Sequence, residues 1–305
     1  MPRGILYHYT GGANGLKSMK WFNHPGWGNT GSSCHVMIFD RIPKNLIGDM
    51  WSNVDQELQE FFPVPTIILA PWYAGTWHGN WTNNMTLGVE CRNVGRVKSD
   101  KDTYLGKPTV TSPNGKQVVE SFSWDQILCC VNIGRLCQAW TSFALDMDWI
   151  LTHQCVWALK RDAGPAFPIH KIREHIHNLD KRISDPRLFP TVAPNSGEGT
   201  EWMDTINELR DEPDECLVKW EQPTDVVIDD TEKAKINLYQ MGFHSGDCGT
   251  HRERAFRNAV RWYQRSTSAF AKTKHDRGRV LKPDGAYGPK TAASLHQRMG
   301  ELGII

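Results

Sequence analysis

The sequence predicts an α/β fold, with a mixed central sheet flanked by helices, followed by a small all-α domain at the C-terminus. Three observations lead to this fold class. Over residues 1–182, short runs of aliphatic and aromatic residues alternate with segments of helical periodicity. Residues 183–230 are rich in Pro, Gly and acidic residues, which is typical of a linker. A second module follows over residues 231–305, in which the basic run from His251 to Arg265 is typical of a solvated helix face.

Five apolar runs predict the strands of the sheet. The first, "RGILYHYT", mixes aliphatic and aromatic residues in weak alternation, a composition that strands favour. It precedes "GGANGLKSMKWFN", which indicates a loop and a short helix. The other four runs are, in chain order, "SSCHVMIFDRI", "TIILAPW", "MTLGVECRNVG" and "MDWILTH".

Two further segments of the first domain have helical patterns. A long buried helix is predicted to begin near Ser123, because a serine there precedes Trp-Asp-Gln and a run of apolar residues at helical spacing. The segment "PIHKIREHIHNLDKRI" places Ile169, Ile172 and Ile176 on one face of a second helix. Strands interleaved with such helices indicate a layered α/β domain.

Composition and charge restrict the class of partner. The 305 residues carry a net charge of +1 (35 basic minus 34 acidic residues), which gives no reason to expect nucleic acid. No run reaches the roughly 18 apolar residues of a membrane span. The N-terminus lacks a small-residue cleavage site, so we expect no signal peptide and a cytoplasmic origin. None of the eight Cys forms Cys-x-x-Cys, which indicates reduced, mostly buried thiols. The 13 Trp either line a groove or fill the core.

Four polar side chains stand where predicted strands end or are interrupted. His8 follows "ILY", Glu90 interrupts "LGVEC", His153 ends "DWILT", and Asp162 lies in a Gly-Pro turn. Two histidines and one carboxylate, with a fourth position open, are a common ligand set of catalytic zinc. Glu90 then suits a general base, and Lys160 suits stabilisation of a negative oxygen.

The ordered motifs of residues 1–182 resemble the zinc-dependent N-acetylmuramoyl-L-alanine amidases of the type-2 amidase family. These include phage endolysins and are related to the peptidoglycan recognition proteins. "ILYHYT" is similar to the family's opening strand, and "MTLGVECRNVG" to its "SIGIE" strand. "THQCVWALKRDAGPAFP" is similar to its closing "GH…K-x-D-P-G-P" segment. The resemblance implies zinc ligands His8, His153 and Asp162, a catalytic base at Glu90 and an oxyanion-binding Lys160.

Two more histidines fall in segments that resemble the family. "GTWHGN" is similar to the "WHAG" segment that lines the substrate groove, and "SSCHVMIFDRI" to the second strand. The resemblance therefore implies substrate contacts from His78 and His35. Both residues are equally compatible with packing or with hydrogen bonds to the backbone. The chain departs from the family pattern at Ala163, where relatives carry Pro, at Cys34, and in an insertion over 43–65.

A competing ligand pair is present in "EHIHNLDKRISDP", at His175 and Asp185. We reject it because His175 lies in a helical pattern with no preceding strand. In addition, no Lys stands two residues before Asp185.

The C-terminal residues carry a second resemblance. "DGAYGPKTAASL" and "AVRWYQ" are similar to parts of the peptidoglycan-binding domain type 1, a three-helix module. The resemblance implies that residues 231–305 bind the cell wall.

Together the two resemblances imply a monomeric endolysin whose partner is bacterial peptidoglycan. It would hydrolyse the amide between N-acetylmuramic acid and L-alanine with a zinc-activated water, and would reside in the host cytoplasm before lysis. Two alternatives remain: a non-catalytic peptidoglycan recognition protein, and a zinc peptidase that cuts another stem-peptide bond.

Overall fold

The apolar run "GILYHY" forms strand β1, Gly4–Tyr9, whose residues are almost all buried. A strand covered on both faces has a nearly continuous apolar sequence, as this one has. The computed structural model that places it describes residues 2–12, 14–22, 32–41, 52–97, 109–111, 118–141, 145–157, 160–164, 166–178, 230–245, 253–271, 281–302 and 305. Residues 183–229 of the predicted linker, and with them Asp185, lie outside the described residues.

The central sheet contains five strands in the order β3-β2-β4-β1-β8. Strand β2 pairs antiparallel with β3, and the remaining pairs are parallel, so the prediction of a mixed central sheet is confirmed. The strands that join β1 in this sheet are β2 (Val36–Ile38), β3 (Thr66–Ile68), β4 (Thr86–Cys91) and β8 (Ile150–Thr152), and β1 itself pairs with β4 and β8.

Helices flank the sheet, as predicted. The long helix α3 begins directly after Ser123, whose hydroxyl accepts from the backbone N–H of Gln126 at 3.2 Å, while the Gln126 side chain accepts from the N–H of Ser123 at 3.2 Å. This reciprocal pair is a capping box. The helices are α1 (Gly15–Phe22), α2 (Gln56–Phe61), α3 (Trp124–Thr141), α4 (His153–Val156), α5 (Ile169–Asn178), α6 (Asp230–Gln240), α7 (Glu253–Ala271) and α8 (Pro289–Leu302).

Two elements of the fold were not predicted. Helix α2 lies within the insertion at 43–65, and a small antiparallel sheet has the order β5-β7-β6. Its strands are Arg96–Val97, Thr109–Thr111 and Val118–Glu120. They contain two or three residues each and stand in polar sequence, so that no apolar run marks them, unlike the equally short β2, β3 and β8. Of the helices described, none is both long and apolar enough to cross a bilayer.

One face of the central sheet, which we call the first face, is covered by α3 and α5. Ile5, Tyr7 and Ile150 of the sheet share a hydrophobic cluster with residues of these helices, including Ile172 and Ile176. The described cysteines are free and buried, and several lie in this cluster. The prediction of buried thiols is thereby confirmed for that part of the chain.

The opposite, second face is covered at both sides by different elements. At β2, Met37 and Phe39 pack against α1. At β1 and β8, Leu6 and Leu151 share a cluster with residues of the C-terminal helices, and the members from α7 and α8 include Ala259, Val260, Trp262, Tyr263, Leu295 and Met299. Residues far apart in sequence therefore complete one hydrophobic layer.

Polar and aromatic contacts accompany this shared cluster. The Gln154 side-chain amide donates to the carbonyl of Met241 at 2.6 Å. The rings of His170 and Tyr239 stack with centroids 3.5 Å apart. The division into 1–182, 183–230 and 231–305 stays a prediction, but the described C-terminal helices lie directly against the central sheet.

Candidate metal centre

Three ligand-type atoms meet on the second face of the sheet. The Nδ1 atoms of His8 and His153 lie 3.0 Å apart. Asp162 Oδ2 lies 2.9 Å from His8 Nδ1 and 2.8 Å from His153 Nδ1. Within the described residues this is the one group of three or more His, Cys, Asp or Glu side chains placed to hold a metal ion. The structure thus brings together the three residues predicted as ligands.

Strand order explains how distant residues reach one point. In the parallel pair β1 and β4, His8 lies opposite Glu90, which puts both side chains on the same face. Strand β8 pairs with the other edge of β1, and His153 follows directly as the first residue of α4. The backbone N–H of Gln154 donates to the carbonyl of Asp162 at 3.0 Å, which returns that loop to the cluster.

The protonation states of His8 and Asp162 are suited to binding a cation. Burial, together with the neighbouring His153, lowers the pKa of His8 to about 4, so its imidazole is neutral near pH 7. Burial alone would raise the pKa of Asp162, but the neighbouring His153 and His8 side chains hold that pKa well below its usual range. A neutral imidazole and an ionised carboxylate are the forms in which these side chains bind metals.

Electrostatic repulsion among the three ligand atoms tests whether the site fits a metal ion. Lone pairs on His8 Nδ1, His153 Nδ1 and Asp162 Oδ2 would face one another at 2.8–3.0 Å. Such an arrangement requires a proton or a cation among the three atoms. Zinc prefers nitrogen and oxygen ligands at about 2.0–2.2 Å in tetrahedral geometry. The donor set present here fits that ion.

Glu90 is a buried carboxyl group in the same pocket. It is 7% exposed, and its Oε2 atom has no hydrogen-bond partner among the described residues. Burial, with a further contribution from the charge of Asp162, raises the pKa of Glu90 well above its ordinary value, although Lys160 acts in the opposite direction. A carboxyl group with a raised pKa is a stronger proton acceptor than an ordinary one, which suits a general base.

The pocket has a volume of about 500 Å³. Lys160, predicted to bind the oxyanion, lines it together with the metal cluster and Glu90. The Lys160 backbone is fixed at both groups, since its N–H donates to the Trp157 carbonyl at 2.9 Å and its carbonyl accepts from Arg298 of α8 at 3.1 Å.

His78 and His35 occupy different positions. His78 lines the pocket, and its ring nitrogens face His8 Nε2 at 3.3 Å and the Thr86 carbonyl at 3.1 Å. Burial and the neighbouring imidazoles lower its pKa well below the ordinary value. His35 is 1% exposed. The backbone N–H of Gly88 donates to its Nδ1 at 3.0 Å, and its Nε2 lies 2.9 Å from the Ala74 carbonyl.

Substrate contact by either residue stays a prediction. His35 has both ring nitrogens engaged by backbone groups, which leaves its ring no ordinary hydrogen-bonding capacity for a ligand. The competing His175 lies in α5, the helix that covers the first face, whereas the cluster lies on the second face.

One wall of the pocket was missed by reasoning from sequence. Helix α1 contributes Lys17, Ser18, Trp21 and Phe22 to the lining. Lys17 and Trp21 are four residues apart and so share one side of the helix. The helix itself was predicted, but an isolated short helix gives no indication of what its polar side faces.

Comparisons with known proteins give few matches, all at low similarity. No protein-family model and no curated protein matches the sequence. Among solved structures, AmpDH3 from Pseudomonas aeruginosa in complex with anhydromuramic pentapeptide matches with a TM-score of 0.41 and 16% identity, covering 98% of this chain and 92% of that chain. The N-acetylmuramyl-L-alanine amidase AmiD from E. coli, in complex with an anhydro-N-acetylmuramic acid peptide, matches with a TM-score of 0.44 and 13% identity, covering 100% and 91%. Similarity at this level does not assign an activity.

Proposed function

We propose that this protein is a zinc-dependent N-acetylmuramoyl-L-alanine amidase that cleaves peptidoglycan. One observation carries the proposal: His8, His153 and Asp162 converge to within 3.0 Å in a pocket that Glu90 and Lys160 also line. Five residues from four segments of the chain supply the groups that metal-assisted amide hydrolysis requires. The substrate class is supported by the ordered amidase motifs of the sequence.

The chain's own residues divide the chemical work. His8, His153 and Asp162 would hold the zinc ion. When bound, zinc supplies a Lewis acid that polarises the substrate carbonyl and lowers the pKa of water to about 7. Glu90 accepts a proton from the attacking water and then delivers it to the departing amide nitrogen. Lys160 stabilises the negative charge that develops on the carbonyl oxygen.

The biological setting completes the proposal. Motif resemblance supports a phage endolysin that resides in the host cytoplasm before lysis, acts as a monomer and reaches peptidoglycan afterwards. The motifs in 231–305 support wall binding by the C-terminal helices, which would keep the enzyme near its insoluble substrate.

The test combines metal content with product analysis. Purified protein is incubated with defined peptidoglycan, and fragments are identified by mass spectrometry. We expect stoichiometric zinc and peptides with a free L-alanine amino end. His153→Ala should lose both zinc and cleavage, because it removes a ligand, and it serves as the matched control.

Other outcomes assign the alternatives. Fragments cut within the stem peptide would identify a zinc peptidase instead. Wall binding without any product, in a protein fully loaded with zinc, would identify a recognition protein.

A further inference from the structure

A chain of hydrogen bonds runs from the backbone through two imidazoles to the metal cluster. The Thr86 carbonyl, which can only accept, lies 3.1 Å from His78 Nε2, so this nitrogen carries the proton. In a neutral His78 ring, Nδ1 then bears a lone pair. His8 Nε2 lies 3.3 Å from it and is placed to donate its hydrogen.

The direction of these hydrogen bonds decides which ring nitrogen of His8 carries the hydrogen. With its hydrogen on Nε2, neutral His8 carries its lone pair on Nδ1, the atom beside His153 and Asp162. A hydrogen on Nδ1 instead would set two lone pairs against each other between His8 and His78. Without metal, one hydrogen on His153 Nδ1 lies between His8 Nδ1 and Asp162 Oδ2, at 3.0 and 2.8 Å, and offsets the repulsion of their lone pairs, which face each other at 2.9 Å.

We propose that His78 is a positioning residue that fixes the tautomer and ring orientation of His8, rather than a residue that contacts substrate. The proposal rests on the metal site of the proposed function. Groups that accept the second ring hydrogen of a metal-binding His orient it, and their loss weakens metal binding.

The surroundings of His78 hold its ring in place. Gly88 lies beneath the ring, where an added Cβ would come within 2.5 Å of His78 Cγ. The Asn83 side chain accepts from the backbone N–H groups of His78 and Gly79, at 2.9 and 2.6 Å. The side chain is 7% exposed, and its described contacts are a carbonyl and two imidazoles, with no carboxylate among them. This environment favours a fixed, neutral ring.

Two substitutions distinguish a positioning role of His78 from the effect of its side-chain size. His78→Asn keeps an acceptor oxygen where Nδ1 stands, within reach of His8. His78→Gln reaches towards Thr86 but removes the acceptor that faces His8. We expect His78→Gln to weaken zinc affinity about 10–100-fold, while His78→Asn retains most of the wild-type affinity. Zinc affinity is measured by competition with a chromophoric chelator, and thermal melts verify folding.

A spectroscopic measurement makes the test independent of activity. Nitrogen-15 chemical shifts of the His8 ring in metal-free protein should show hydrogen on Nε2 in the wild type and in His78→Asn, and a shift towards Nδ1 in His78→Gln. An unchanged tautomer in His78→Gln would overturn the proposal, as would equal zinc affinity in the two variants.

The experiment also separates this inference from the proposed function. Wild-type protein that binds zinc but leaves peptidoglycan intact would refute the amidase and not the role of His78. If wild-type protein takes up no zinc, the His8 tautomer in the metal-free variants still decides the inference. A normal tautomer and zinc affinity in His78→Gln, with a raised KM for muropeptide, would show that His78 contacts substrate.

Discussion

The two faces of the central sheet differ in what covers them. The first face packs against α3 and α5, helices of the same region of the chain, in a continuous apolar layer. The second face is covered by α1 at one side and by the C-terminal helices at the other. Between those two covers lie His8 and Glu90, which alternate with apolar neighbours along their strands. One face therefore stabilises the fold, and the other combines stabilisation with a polar site.

Removing the C-terminal cover should have the largest effect. Deletion of 231–305 would expose Leu6 and Leu151, and would also remove the α8 side chain that bonds to the Lys160 carbonyl. We expect an aggregated or unfolded product with no activity even on soluble muropeptides. Circular dichroism and turnover of a soluble substrate measure this.

A cut version of the full chain is the control. A protease site inserted between 183 and 229 should, after cleavage, give two pieces that still elute together in gel filtration. A folded, active 1–182 fragment would show instead that the C-terminal helices are a separable module.

Removing the proposed base, Glu90, from the second face should impair turnover without affecting the fold. Glu90→Gln keeps the size of the side chain and removes its capacity to accept a proton. We expect kcat to fall about 10²–10⁴-fold, with zinc content and melting temperature close to those of the wild type. Steady-state kinetics on a soluble muropeptide measure the change, and full activity would exclude Glu90 as the base.

Cavity formation compares the apolar parts of the two faces directly. Ile172→Ala, in the helix that covers the first face, and Leu151→Ala, in the second face itself, should each lower the free energy of unfolding by about 2–5 kcal/mol. Both side chains are buried, at 0% and 2% exposure. Urea denaturation measures both values. A much smaller cost for Leu151→Ala would mean that the C-terminal helices do not cover the second face tightly.

The pH dependence of stability should report the buried carboxyl group. Because the folded-state pKa of Glu90 is raised, the metal-free folded protein holds a proton that the unfolded chain releases above about pH 4.3. Stability of the wild type relative to Glu90→Gln should therefore fall as pH rises, by about 1.4 kcal/mol per unit until the folded-state pKa is reached. Below that range the two curves should run parallel. A constant difference at all pH values would contradict the raised pKa.

Reasoning from sequence succeeded where local pattern determines structure. The five strands and the helices beginning near Ser123 and Ile169 follow from periodicity and a capping box, and the structure contains them. Helix α2 and the three-stranded sheet were not predicted because their elements are short and no apolar run in the sequence marks them.

For the candidate site, too, some features could be predicted from local sequence and others could not. His8, Glu90, His153 and Asp162 stand at recognisable positions in ordered motifs, and the structure brings them into one pocket. The contribution of α1, the backbone contacts of His35 and the cover provided by α7 arise only from tertiary packing. No local pattern encodes which distant element will face a given side chain.

The shared cluster of the second face has a consequence for synthesis. Leu6 leaves the ribosome long before its neighbours Leu295 and Met299. A nascent chain can assemble the first face while translation continues, but it cannot close the second. The second face is therefore completed only once the residues of α8 have been translated.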